Sequence, residues 1–307
     1  ASQIEALYAS TGVSIVDIAR DGVGWRVVKS DGANGRNRRI TPFSPVVFTG
    51  PAARHPWIIA ASAIVNAAEP AAADAPAHAV RCGTSANCAG GLTPWGTYLT
   101  AEENFDGLFV GALDTGAQFD DPELALDAAS FGYPGVGFVD RTPRQFDIAE
   151  NLHGPSLYGW IVPANRAANM DLLDDGQLYC AQCNEDGSGR WIAITLAAAN
   201  AAAAALDSPI RFHDEGDLLM RVRDAARFLG ATPMDRPEDV EAVCDANWRG
   251  LGSVLIACTN NSERGFAQPG NPRREDAEHP HAAQSNLAGH ILRFDEAGGD
   301  CAAETFT

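Results

Sequence analysis

The chain has 307 residues, enough to bury a sizeable core as one large domain or two ordinary ones. Its 40 acidic residues outnumber 22 basic ones for a net charge of −18, which argues against a nucleic-acid partner because phosphate binding needs a cationic face. Although 46% of the chain is hydrophobic, no apolar run approaches the roughly 18 residues of a membrane helix, so no membrane insertion is expected.

The first residues, "ASQIEALYAS", read as a short helix running into "VSIVDIARDGVGWRVV", an apolar–polar alternation broken at Asp21-Gly22 as in a hairpin. No cleavable export signal precedes Ala1, and both ends read as cut from something longer. The alanine runs at Ala71–Ala73 and Ala197–Ala205 read as loop or short-helix insertions. "GQLYCAQCNEDGSGRWIAI" repeats the hairpin design, with Asp186-Gly187 at its turn. Its Cys180 and Cys183 form a C-x-x-C with no second pair at zinc-ribbon spacing, which reads as two half-buried strand cysteines. The seven cysteines are odd in number and scattered, so a disulfide framework is not expected.

Helix is expected from Asp214 to Leu229, with His213-Asp214-Glu215 at its start and Gly230 as its C-cap. "GSVLIACTNN" and "GHILRFDEAGGD" read as strands ending in turns, and "CTNNSERGF" as turn chemistry. His279 and His281 flank a proline in an acidic loop and read as solvated. Strand–turn–strand units with glycine punctuation point to an all-β sandwich, barrel or propeller with short helical insertions. There is no P-loop, dinucleotide fingerprint or nucleophile elbow.

Two stretches carry chemistry. In "NCAGGLTPWGTYLTAEENF", Cys88 sits before Gly90-Gly91, where backbone can approach another atom closely, and a thiolate there could ligate a soft or borderline metal. "TYLTAEE" reads as a strand whose alternation sets Glu103 opposite to Glu102, so only one of them can face a shared interior. On spacing alone, a buried structural cysteine and a surface carboxylate are the favoured readings. In "GATPMDRPEDV", Pro237 is expected to push Arg236 extended, so that Arg236 and Glu238 face the same way. That pair suits either a site for a cation and an oxyanion or a surface ion-pair turn.

Taken in order, "TGVSIVDIARDGVGWRVV", "NRRIT", "TGPAARHP", "NCAGGLTPWGTYLTAEENF", "ANRAANMDLLDDGQLYCAQ", "LGATPMDRPEDVE", "LIACTNNSERG" and "GHILRF" resemble the PhoX-type alkaline phosphatases over nearly the whole chain. The resemblance implies a six-bladed β-propeller around a centre of iron (Fe3+) and calcium (Ca2+), acting on small-molecule phosphate monoesters. It implies that Cys88 ligates iron, that Glu103 and Glu238 bind metal, and that Arg236 contacts the substrate phosphate. It further implies a periplasmic or extracellular monomer, exported folded through a twin-arginine signal that this chain does not carry.

The chain also departs from the family. "RQFDIAENLHGPSLYGWIV" passes straight into "PANRAANMDLL", where the family has further strands and a His-Glu-Gly step whose glutamate binds metal. Residues 1–307 are therefore expected to form one partial propeller domain, truncated at both ends and carrying an internal deletion near 162–163. A metal-binding aspartate that the family carries beyond the equivalent of Thr307 is missing too, so weak metal binding is expected. Two other classes fit parts of the pattern: a non-catalytic anion- or calcium-binding module, and a calcium-dependent propeller lactonase, which would need neither Cys88 nor Arg236.

Overall fold

A computed structural model describes residues 3–29, 37–68, 75–93, 96–110, 144–163, 174–244, 250–261, 268–272, 286, 288–300 and 303–307. The chain forms two compact units, Ala1–Asp174 and Asp175–Thr307. Among the described residues the architecture is mostly β, in antiparallel sheets of two or three strands, with few helices. His279, His281 and Ala71–Ala73 lie outside the described residues.

The first unit opens with helix α1 (Gln3–Ser10), as its pattern predicts. The alternation that follows is not one hairpin arm. It breaks at Val16-Asp17 into β1 (Val13–Ile15) and β2 (Ile18–Asp21), which take different partners: β1 pairs with β4 (Arg38–Ile40), and β2 with β3 (Gly24–Val27). The break has a local cause, because Asp17 donates its N–H to the Asn37 side chain (2.6 Å) and accepts from the Val28 N–H (2.8 Å). The predicted turn holds, with Gly22 at φ +59°.

Helix α2 (Pro56–Ala68), with proline as its first helical residue, buries Ile58, Ala61 and Val65 at helical spacing. Sequence patterning does not reveal it, because "PWIIAASAIVNAA" has little polar contrast around its circumference. Phe109, Phe146, Leu157 and Tyr158 are buried in the same unit, with Tyr8 stacked on Phe146 at 4.3 Å. A pair of short strands, β5 (Pro45–Val46) and β6 (Val80–Arg81), precedes the meander β7 (Asn87–Leu92), β8 (Tyr98–Glu102) and β9 (Ile161–Pro163).

In the second unit, β10 (Tyr179–Cys183) and β11 (Gly189–Ala193) form the expected hairpin, and β15 (Thr305–Phe306) adds to β11. Odd spacing puts the two strand cysteines on opposite faces of β10. Cys180 packs with Ile194, Ile210, Phe212 and Leu218, and Cys183 with Ile256, Phe294 and Phe306.

The second alanine run is helix α3 (Leu196–Ala205). The Thr195 side chain caps it, and Ala199 and Ala203 are fully buried, so it belongs to the core. The single helix expected after Asp214 is two, α4 (Glu215–Met220) and α5 (Val222–Phe228). They divide at Arg221, whose buried guanidinium turns back to Asp217 and to the Arg211 carbonyl. Asp214 caps α4 and Gly230 (φ +80°) ends α5, as expected. A second meander, β12 (Pro237–Cys244), β13 (Gly250–Cys258) and β14 (His290–Asp295), completes the unit.

Candidate metal centre

The thiol of Cys88 owes its placement to an irregularity in the β7–β8 ladder. Asn87 pairs with Glu102, but the next pair is Gly90 with Thr100. Three steps along β7 face two along β8, so β7 carries an extra residue within Cys88-Ala89. Such a bulge turns a side chain away from the regular alternation. Ala86, at φ +51°, bends the chain into it, and the Thr100 hydroxyl donates to the Ala89 carbonyl (3.1 Å). Gly90 lets the strands close, since a Cβ there would lie 2.6 Å from the Leu99 carbonyl oxygen.

Cys88 is exposed and not disulfide-bonded. Glu103 is half-buried just past the end of β8, its N–H donated to the Ala86 carbonyl (3.0 Å). The Cys88 Sγ and a Glu103 carboxylate oxygen lie within 4.8 Å. One ion with ordinary sulfur and oxygen bond lengths spans about 4.7 Å between two ligands, so this spacing can share a cation.

Glu102 turns the other way, as the alternation predicts. Its Oε1 accepts from the Thr84 hydroxyl (2.7 Å) and the Ser85 N–H (2.9 Å), and its Oε2 from the Gly159 N–H (2.6 Å). Burial raises its carboxyl above the ordinary carboxylate range, against the pull of those hydrogen bonds.

The Arg236–Glu238 pair belongs to the second unit, and a bulge shapes it too. Pro237 pairs with Cys258 and Asp239 with Ala257, so Glu238 is the extra residue on β12. Arg236 is not extended. It takes φ +47°, held by its N–H to the Met234 carbonyl (2.9 Å) and its carbonyl to the Thr259 N–H (3.2 Å). Proline bars the right-handed helical region from the preceding residue, and here the left-handed turn satisfies that restriction in place of the extended one. The two side chains still face each other, with an Arg236 nitrogen 3.5 Å from Glu238 Oε1. Arg236 is half-exposed, so an ion pair of this kind adds only about 0–1 kcal/mol to stability.

The chain matches the family model of the alkaline phosphatase PhoX over residues 1–164 and 161–307. It belongs to the PhoX family. A solved structure described as Pseudomonas fluorescens PhoX in complex with vanadate, a transition state analogue, is similar at 27% identity with a TM-score of 0.68. The match covers 99% of this chain and 58% of that one, so the chain spans under two thirds of that relative's length. No curated protein matches the chain.

The PhoX resemblance read from the motifs is thereby established, together with the mainly β architecture. Sequence reasoning missed the residues that hold the Arg236 turn. Asp235 is buried, donates its N–H to Asn271 Oδ1 (2.8 Å) and accepts from Asn261 Nδ2 (2.9 Å). Asn271 in turn donates to the Pro233 carbonyl (2.5 Å). Asn261 belongs to the stretch read only as turn chemistry; its position straight after a strand, beside a second asparagine, was the one available signal.

Proposed function

We propose that this PhoX-family chain carries the site of a metal-dependent phosphatase acting on small-molecule phosphate monoesters. In this reading the Cys88 thiolate holds iron (Fe3+), and the Glu103 and Glu238 carboxylates hold calcium (Ca2+). The donors fit those ions, thiolate sulfur suiting iron and carboxylate oxygen suiting calcium. When bound, such cations neutralise a phosphate dianion and polarise its oxygens.

The chain's own residues supply positioning. The bulge presents the Cys88 thiol, and Glu238 orients the half-exposed Arg236 guanidinium for a two-pronged grip on a phosphoryl group. Charge developing on that group is stabilised by the same guanidinium. The observation that carries the reading is the bulged cysteine beside a carboxylate in a chain that the family model covers throughout.

A propeller architecture belongs to this reading, with the three-stranded antiparallel meanders as the material of its blades. The two family matches overlap at residues 161–164, β9 covering Ile161–Pro163, and we place the internal deletion near 162–163. A centre that lacks the carboxylate of that segment releases its metal readily. A periplasmic or extracellular location also follows from the family; among the described residues, no helix is long and apolar enough to cross a membrane.

The test is hydrolysis of p-nitrophenyl phosphate with ferric iron and calcium supplied. The expected outcome is turnover by the wild type, loss of at least about a hundredfold in Cys88→Ala, and a raised KM in Arg236→Ala. Turnover unaffected by Cys88→Ala would reject the iron site. Metal-dependent phosphate binding without turnover would favour a non-catalytic anion-binding module.

A further inference from the structure

We infer that Glu102 is the positioning residue of the candidate metal centre: it fixes Cys88 and Glu103 without touching the ion. The inference rests on the metal-centre reading above and names a residue outside its ligand set. Three donors from two segments meet at this one carboxylate. Thr84 and Ser85, both fully buried, lead into the bend at Ala86 and the bulge at Cys88. Thr84 also accepts from Asn87 Nδ2 (2.9 Å), linking Glu102 to the residue before the thiol. Gly159, on the opposite side, precedes β9. The fourth connection is covalent, because Glu103 is the next residue and its own N–H is fastened to Ala86.

The chemistry specifies a carboxylate. Donors approach from both sides, a hydroxyl and an N–H at Oε1 and an N–H at Oε2. Only a group that accepts at both oxygens satisfies them. A glutamine keeps the shape but aims an NH2 at one of those backbone N–H groups, neither of which can turn away. The segment holding the bulge then loses its anchor, and the thiol and the Glu103 carboxylate lose their fixed spacing.

The experiment titrates wild type, Glu102→Gln and Thr84→Val with ferric iron alone, reading the thiolate-to-iron charge-transfer absorption. Thermal unfolding of the metal-free proteins is measured in parallel. Wild type is expected to develop the band, and Glu102→Gln to need about ten- to a hundredfold more iron for half of it, the loss usual when a ligand's support is removed. Thr84→Val, which deletes one donor and keeps the carboxylate, is expected to shift in the same direction by less, and it carries the test if Glu102→Gln does not fold. A folded variant that titrates like wild type, with only its metal-free unfolding lowered, overturns the positioning role. Wild type without the band overturns the metal-centre reading itself and this inference with it.

Discussion

Glu102 closes β8 and Glu103 follows it, and one step of backbone separates a carboxylate tied to Thr84, Ser85 and Gly159 from one that faces Cys88. The cysteines divide in the same way. Cys82 is fully buried, and burial, reinforced by the nearby Glu102 charge, pushes its thiol far above the ordinary range. Cys88 is exposed. Alkylation of the native protein, mapped by peptide mass spectrometry, is therefore expected to modify Cys88 and spare Cys82. Added ferric iron should slow modification of Cys88 several-fold; no protection would mean that the thiolate does not bind the ion. Cys88 and Arg236 stand out as candidates in the sequence because each sits in a motif of unusual composition. Glu102 does not, since alternation tells which carboxylate turns away but not what it turns towards. Asp235 does not either, since its partners Asn261 and Asn271 are 26 and 36 residues along the chain.

At the scale of elements, hairpins with glycine turns and two strands of the second meander, β13 and β14, could be read directly, because period-two patterning and turn chemistry are local. What escaped is set by tertiary contacts. The helix after Asp214 divides because one buried guanidinium must reach Asp217 and the Arg211 carbonyl, and nothing in the periodicity of "DLLMRVRDAARFL" signals it. Bulges are equally silent, for an extra residue shows only against its partner strand. The β7 bulge makes a sharp prediction at Gly90. Glycine there is a matter of space, since a side chain would press on the Leu99 carbonyl across the ladder. Gly90→Ala is expected to destabilise the protein by about 1–3 kcal/mol, as overpacking commonly does. Urea unfolding checks the number, and an unchanged midpoint would show that the two strands are not so closely apposed.

For the molecule as a whole, the relevant fact is that each compact unit has its own buried core. In the second unit, Phe306 stacks on Phe294 at 4.4 Å and lies 4.9 Å from Trp191, with Gly189 leaving room for its ring. Phe306→Ala should cost about 3–5 kcal/mol. Hydrogen exchange is expected to show protection lost in β10 and β11 while β7 and β8 keep theirs. Equal loss in both would mean that the chain unfolds as one block.

The extra residue on β7 has a consequence for engineering. Asn87 and Gly90 carry the register on either side of it, so the identity of the side chain at 88 is uncoupled from the strand pairing. Exchanging the thiol for an imidazole or a carboxylate should leave that pairing intact, so that under the proposed reading the preferred ion becomes a property that a single codon can retune.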